Sequence, residues 1–341
     1  MPRRWLGAGV ALTICVSACT SSGAPVAKDP GKVVPVKRFA VPGRLYATRG
    51  RALYRFSGYN VTRLLAGAQV KDPAVTLDGA RLAYAQLQGS SSTIVVGGSD
   101  GSGAAAITPP SAPEGALWAF APAFSTDGRR LAYLTDRGKR PSSPQNLQPN
   151  DLGIWQYDVA AHRSTQLVIP AGYTGGDSDP AFRPSATEQL VYTTYLYDGV
   201  PLQPVARLTW MSTQTGRSVF LSPSLARNLE PSFSPDGKYL TFVRGGPEGD
   251  DLYVAPLSAA YAAEPHPYPT DTATLVQAGT VAQPVWAPDG RALAFLMLVN
   301  GSFDLYLLPI STEGSIRATG PPIAITRGSY FDADSRLAWS P

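Results

Sequence analysis

The chain has 341 residues, 44% of them hydrophobic and 16% charged, which excludes a disordered or acidic-tail protein, because such chains lack the apolar surface to offset ordering entropy. Lys and Arg number 29 against 25 Asp and Glu, a formal charge of +4, too mild an excess to mark a nucleic-acid-binding protein. With 33 Gly and 32 Pro the chain reads as many short strands rather than a helical bundle; two Cys exclude a disulfide framework, and two His weaken most metal and general-base chemistries.

The chain opens Met1-Pro2-Arg3-Arg4 and then runs apolar from Trp5 to Ala18. That run is shorter than the ~20 apolar residues a bilayer span needs, and with its basic start it reads as a secretory signal. It ends Val16-Ser17-Ala18-Cys19, which resembles a bacterial lipobox, in which the Cys is acylated and becomes the mature N-terminus. Residues 1–18 are thus expected to be a lipoprotein signal peptide. Cys19 is the expected lipidation site, carrying palmitate or a like acyl chain and holding the protein to the cell membrane on its extracytoplasmic face. Residues 19–42 are rich in Ser, Gly, Pro, Ala and Lys and hold no apolar period. They read as a flexible tether reaching roughly 25 Å.

Residues 43–341 carry an internal repeat. Five segments align: Pro73-Ala-Val-Thr-Leu-Asp78-Gly79, Pro122-Ala-Phe-Ser-Thr-Asp127-Gly128, Pro180-Ala-Phe-Arg-Pro-Ser185, Pro231-Ser-Phe-Ser-Pro-Asp236-Gly237 and Pro284-Val-Trp-Ala-Pro-Asp289-Gly290. Each is followed by Leu-x-aromatic: Leu82/Tyr84, Leu131/Tyr133, Leu190/Tyr192, Leu240/Phe242 and Leu293/Phe295. Units of ~50 residues suit four-stranded propeller blades. In each, Asp accepts backbone hydrogen bonds and Gly takes the positive φ that closes a hairpin. Asp251-Leu-Tyr-Val-Ala and Asp304-Leu-Tyr-Leu-Leu alternate as third strands, and Asn300-Gly301 is a two-residue hairpin signal.

The chain ends Leu337-Ala-Trp339-Ser340-Pro341, half of a sixth motif. Residues 44–48, 52–56 and 61–65 read as three strands lacking an innermost one. The expectation is an all-β, six-bladed β-propeller in which N- and C-terminal strands complete one blade, leaving no exposed edge there. Pro-x-Phe-Ser-Pro-Asp-Gly followed by Leu-x-Phe resembles the WD40-like (PD40) repeat of the TolB family of exported propellers, over residues 43–341. The resemblance implies a TolB-like propeller. TolB itself carries an α/β domain before its propeller, in whose place this chain has the tether.

In a propeller the first strand of each blade lines the central channel. The residue before each motif Pro then falls near one mouth: Asp72, Ala121, Asp179, Glu230 and Gln283, with Arg336 in the sixth place. Converging carboxylates suit a cation, an arginine or a peptide amine; the bland alternative is solvated strand ends. Connections between second and third strands, and between blades, emerge at the same mouth. The longest are 136–151, 171–179 and 195–204, bringing Arg137 and Arg140 together with Tyr173, Tyr195 and Tyr197, residue types typical of interface anchors. The stretch 259–272, with His266, is expected at the opposite mouth.

Enzyme signals are weak. Gly97-Gly98-Ser99-Asp100-Gly101 matches Gly-x-Ser-x-Gly, but strand-like residues on both sides make it a hairpin turn rather than a nucleophile elbow. His162 also reads as a turn residue. No His has a partner at ligand spacing, so neither catalytic nor metal-binding residues are assigned. TolB-like lyases use a His-rich metal centre that two scattered His do not supply. The favoured function is a monomeric, lipid-anchored, non-catalytic module binding an envelope protein or peptide, with no cofactor and no nucleic acid. The alternative is a cation-dependent hydrolase or lyase acting on an extracellular glycan or lactone, with Ca²⁺ held by the acidic mouth.

Overall fold

A computed structural model describes residues 40–112, 115–137, 152–169, 176–246 and 249–341. The expected signal peptide, Cys19 and nearly all of the expected tether lie outside them, as do Tyr173 and Arg140. Six antiparallel sheets stand around a ring. Blade 1 has strands Val70–Val75, Arg81–Gln88, Ser91–Gly98 and Ala105–Ala106; blade 2 has Ala119–Phe124, Arg130–Thr135, Gly153–Asp158 and Arg163–Gln166. Blade 3 has Asp177–Arg183, Ala186–Asp198, Gln203–Ser212 and Ser218–Phe220; blade 4 has Asn228–Phe233, Tyr239–Gly245, Asp250–Pro256 and Thr274–Gln277. Blade 5 runs Val281–Trp286, Ala292–Val299, Ser302–Ser311, with Arg317–Ala318 and Ile323–Ala324 on its outer edge.

Blade 6 is built from both ends of the propeller. Ala338–Ser340 is innermost, followed by Val41–Arg49, Ala52–Gly58 and Asn60–Leu64. Arg44 pairs with Ser340, Leu45 with Trp339 and Tyr46 with Ala338, and the Trp339 indole N–H donates to the Pro42 carbonyl at 2.7 Å. The Asp332 carboxylate accepts from the Gly50 and Arg51 N–H groups, both at 2.9 Å. At Gly43 an added Cβ would overlap the Ser340 carbonyl oxygen, so the two ends touch where only glycine fits.

The motif explains the packing. Leu82, Leu131, Leu190, Leu240 and Leu293 are fully buried, and their aromatic partners nearly so. Spaced by two, each pair shares one face of a second strand and packs against the preceding blade. The buried apolar residues fall into six clusters, one at each seam between neighbouring blades. At the seam of blades 5 and 6 the small Ala47 takes the aromatic place, and Phe56, Phe331 and Trp339 fill the space.

The motif Asp chemistry is also visible. Asp78, Asp127 and Asp236 accept from the N–H two residues on and from the hydroxyls of Thr76, Ser125 and Ser234 at 2.5–2.6 Å. These bonds hold their carboxyls below the usual carboxylate range. Blade 3 departs: Arg183 stands in the hydroxyl's place and is buried. It donates to the carbonyls of Gly237, Ser258 and Ala259 and to Gln189 Oε1, at 2.5–3.1 Å. It thereby staples blade 3 to blade 4, as Arg44 and Arg81 staple the blades before it through Gly79 and Gly128.

Asn300 and Gly301 have φ of 51° and 77° and are closed by a Val299–Ser302 pair, the two-residue hairpin their sequence predicts. The residues around Ser99 and His162 form hairpin turns. The stretch 259–272 differs from expectation. It begins at the opposite mouth but lies in the seam of blades 3 and 4, where Tyr261 packs edge-on against Trp210 at 6.2 Å and Thr270 is buried, its hydroxyl donating to the Leu221 carbonyl. Burial of Tyr261 draws the stretch inward.

Candidate functional site

Asp72, Ala121, Asp179, Glu230 and Gln283 each occupy the third position of an innermost strand. Each has a left-handed φ, between 46° and 55°, and each inner strand slips register at that point. The following proline suits this break in the ladder. Having no N–H, it leaves the ladder and is tolerated at a bulge, and it steers the residue before it away from the right-handed helical region. Five non-glycine residues in this sparsely populated conformation form a ring of local strain held by the surrounding sheets. In the sixth place Arg336 precedes Leu337 instead of proline.

The strain re-aims backbone and side chains toward the axis, where the ring cross-links itself. Asp72 is 3% exposed. Its carboxylate accepts from the Ala121 N–H of blade 2 at 3.1 Å and the Arg336 N–H of blade 6 at 3.2 Å, while its own N–H donates to the Ser335 hydroxyl at 2.8 Å. Glu230 accepts from the Gln283 backbone N–H at 2.5 Å and the Gln283 side-chain amide at 2.9 Å. The Glu230 N–H donates to Thr193 Oγ1. Arg336 crosses the channel and donates to the Pro180 carbonyl of blade 3, the diametrically opposite blade, at 2.7 Å. Asp72, Glu230, Gln283 and Arg336 are thus tied to neighbouring or opposite blades rather than left as free strand ends. A small recess of about 40 Å³ lies between Glu230, Ser232, Gln283, Pro284 and Arg336.

Burial and the Asp179 charge push Glu230 up to about 8, against the Gln283 N–H and the Arg336 charge. Burial likewise raises Asp72, although Lys71 opposes it. Asp177, at the entry of the blade 3 inner strand, is pushed up to about 7 by burial; one of its oxygens accepts from Thr194 Oγ1 at 3.1 Å and the other has no hydrogen-bond partner among the described residues. At the rim, Asp334 accepts from Lys71 at 2.9 Å and Arg51 at 3.1 Å. Burial alone would lower Lys71, but the charges of Asp72 and Asp334 raise it.

The residues expected on loops are placed differently from one another. Arg137 is exposed and stacks over the Trp155 ring at 4.9 Å. Tyr195 and Tyr197 belong to a strand, Ala186–Asp198, whose ladder continues to an Asp198–Gln203 pair; the strand outruns its apolar residues because cross-strand pairing continues through them. Tyr197 is exposed. Tyr195 instead turns toward the channel: its hydroxyl lies 3.5 Å from Ser178 Oγ, which donates to Asp179 at 2.8 Å. Burial and the Asp179 charge raise the Tyr195 phenol. Ser178, Thr193, Ser335 and Asp177 carried no motif signal. Their alignment with the ring, two positions or fewer from a bulge or on the paired strand, is what places them.

The ring carboxylates are largely engaged by N–H groups. Both oxygens of Asp72 and of Glu230 already accept N–H groups. Among the described residues no group of three or more His, Cys, Asp and Glu is placed to hold a metal ion.

No family model and no curated protein sequence matches the chain. Solved structures do. TolB from Acinetobacter baumannii superposes with a TM-score of 0.63 at 15% identity, over 88% of this chain and 67% of that one. The fold is TolB-like. A putative TolB from Agrobacterium tumefaciens gives 0.52 at 12% identity, covering 87% of this chain and 97% of that one. An oligogalacturonate lyase in complex with manganese gives 0.50 at 15% identity, covering 86% and 74%. The propeller thus shares its architecture with TolB proteins and with a lyase, and a shared fold does not by itself assign a function.

Proposed function

We propose that this TolB-like propeller is a lipid-anchored, extracytoplasmic, non-catalytic binding module. Its ligand, a protein or peptide of the cell envelope, docks at the mouth lined by Asp179, Glu230, Gln283 and Arg336. The observation that carries the reading is the cross-linked ring. Its carboxylates and amides are engaged with one another and with Arg336, an arrangement that presents a rigid polar floor rather than an activated nucleophile or an open metal site. Asp179, half-buried beside Tyr195, is the carboxylate best placed to meet an incoming basic side chain or amine. A propeller with that floor suits recognition at a preformed surface.

Two experiments test the reading. Exchanging Cys19 for Ala moves the protein from the membrane fraction to the soluble one; unchanged fractionation removes the anchor. Crosslinking of the mature protein on membranes recovers a protein or peptide partner, and Asp179→Lys cuts that recovery at least tenfold. Recovery that ignores the charge reversal removes the channel mouth. The lyase alternative needs a bound cation, so calorimetric titration of the metal-stripped protein with Ca²⁺ is expected to give no binding heat up to millimolar concentration.

A further inference from the structure

In blades 1, 4 and 5 the hairpin joining second and third strands runs only one or two residue pairs past the end of the inner strand. In blade 3 it runs four, from Tyr195–Ala206 to Asp198–Gln203. At ~3.3 Å per residue that is an arm projecting about 13 Å beyond the inner strand at the mouth. Its tip is apolar. Val200 is fully exposed, Leu202 is 72% exposed and Tyr197 55%. Leu225, on the connection to blade 4, is exposed beside them, and a Cβ added at Gly199 would come within 2.8 Å of its Cδ2. The carboxylate within the tip is engaged locally: Asp198 accepts from the Gly199 N–H at 2.8 Å. Exposed apolar patches of this kind mark sites of interaction.

We propose that this arm docks an extended apolar segment of the partner peptide, next to the residue that enters the channel mouth. The proposal rests on the channel-mouth reading for where that peptide begins. Tyr195 and Tyr197 lie on one face of one strand, and the Tyr195 hydroxyl stands at the mouth beside Ser178. The face of the arm is therefore continuous with the channel. From Tyr195 the strand runs three residues, about 10 Å, to Asp198, and the turn beyond it carries Val200, a reach that four to five extended residues of a bound peptide cover. The occupant is a protein segment rather than the anchoring membrane. Val41, where the tether joins, and Gly43, which touches Ser340 and Pro341, lie at the opposite end of the ring, so the arm and the joining point of the proposed anchor stand at opposite poles.

The test uses fluorescein-labelled twelve-residue peptides and the mature protein, read by anisotropy. One peptide carries Lys and, five residues on, Leu-Leu; controls replace Leu-Leu by Ser-Ser, shift its offset, or replace Lys by Ser. The Leu-Leu peptide is expected to bind at least tenfold more tightly than its Ser-Ser control, with the five-residue offset best. Val200→Asp with Leu202→Asp abolishes that tenfold gain. Asp179→Asn weakens all Lys peptides but leaves the Leu-Leu gain intact. A gain that survives loss of the Lys supports the arm while removing the channel mouth. No gain from Leu-Leu, or a gain untouched by the arm variant, overturns the proposal. So does a wild-type dimer in sedimentation that the arm variant converts to monomer, or an arm whose variant alters binding only to phosphatidylcholine/phosphatidylglycerol vesicles.

Discussion

The two ends of the channel obey different rules. At one end the Asp-Gly turns recur around the ring with nearly the same hydrogen bonds, and Arg44, Arg81 and Arg183 staple neighbours through carbonyls of the next turn. At the other end each blade contributes something different: a carboxylate from blade 1, an alanine from blade 2, a projecting hairpin from blade 3, a glutamate from blade 4, an amide from blade 5 and an arginine from blade 6. Repetition holds the ring together where it has only to be stable. Departure from repetition marks the end where the blades differ, which is the end that the proposed recognition uses.

The largest effect expected from breaking this contrast is at the closure. Trp339→Ala removes a buried ring and its hydrogen bond to Pro42, and should cost about 3–5 kcal/mol in denaturant unfolding. A cost under about 1 kcal/mol would mean that blade 6 is not held by its innermost strand. Next is the irregular staple. Arg183→Met leaves buried carbonyls and Gln189 without their donor and should cost about 2–4 kcal/mol. Asp236→Ala, at the regular turn beside it, should cost about 1 kcal/mol or less, because that turn is solvated.

The two ends should also separate by pH. Glu230 and Asp177 titrate higher folded than unfolded. Their contribution is therefore full below about pH 4 and is lost as pH rises through about 7 to 8. The turn carboxylates Asp78, Asp127 and Asp236 are held low, so theirs is present above about pH 4 and lost on acidification. Melting temperature should fall between pH 5 and pH 8.5, and the Asp177→Asn, Glu230→Gln double variant should flatten that fall. An unchanged slope would take these two groups out of the account. The smallest effect expected is at Lys238, whose pairing with Asp236 is exposed; Lys238→Ala should move stability by less than about 0.5 kcal/mol.

Much of this was legible in the residues. The Pro-to-Asp spacing fixes blade length, Leu-x-aromatic fixes the seams, and Trp339 beside Pro341 announces the closure, because each is a local pattern repeated. The ring was legible as a set of positions but not as a network. That Arg336 would reach Pro180, 156 residues away in sequence, depends on a ring diameter no local pattern states. Nor does any motif say that Tyr195 packs beside Ser178 while Tyr197, two residues on along the same face, stands exposed, since both sit in one strand continued by pairing alone. Arg183 was visible as an irregular third copy, and only the packing gives the irregularity its purpose.

The contact of Gly43 with Ser340 has a practical side. Because both limits of the propeller meet at a single spot on the turn side, anything joined at either limit, whether a leash to a surface, a fluorophore or an affinity handle, hangs from the same pole. A sensor chip loaded close to Pro341 would hold the molecule by that pole, with the pole bearing the blade 3 hairpin turned toward the solution.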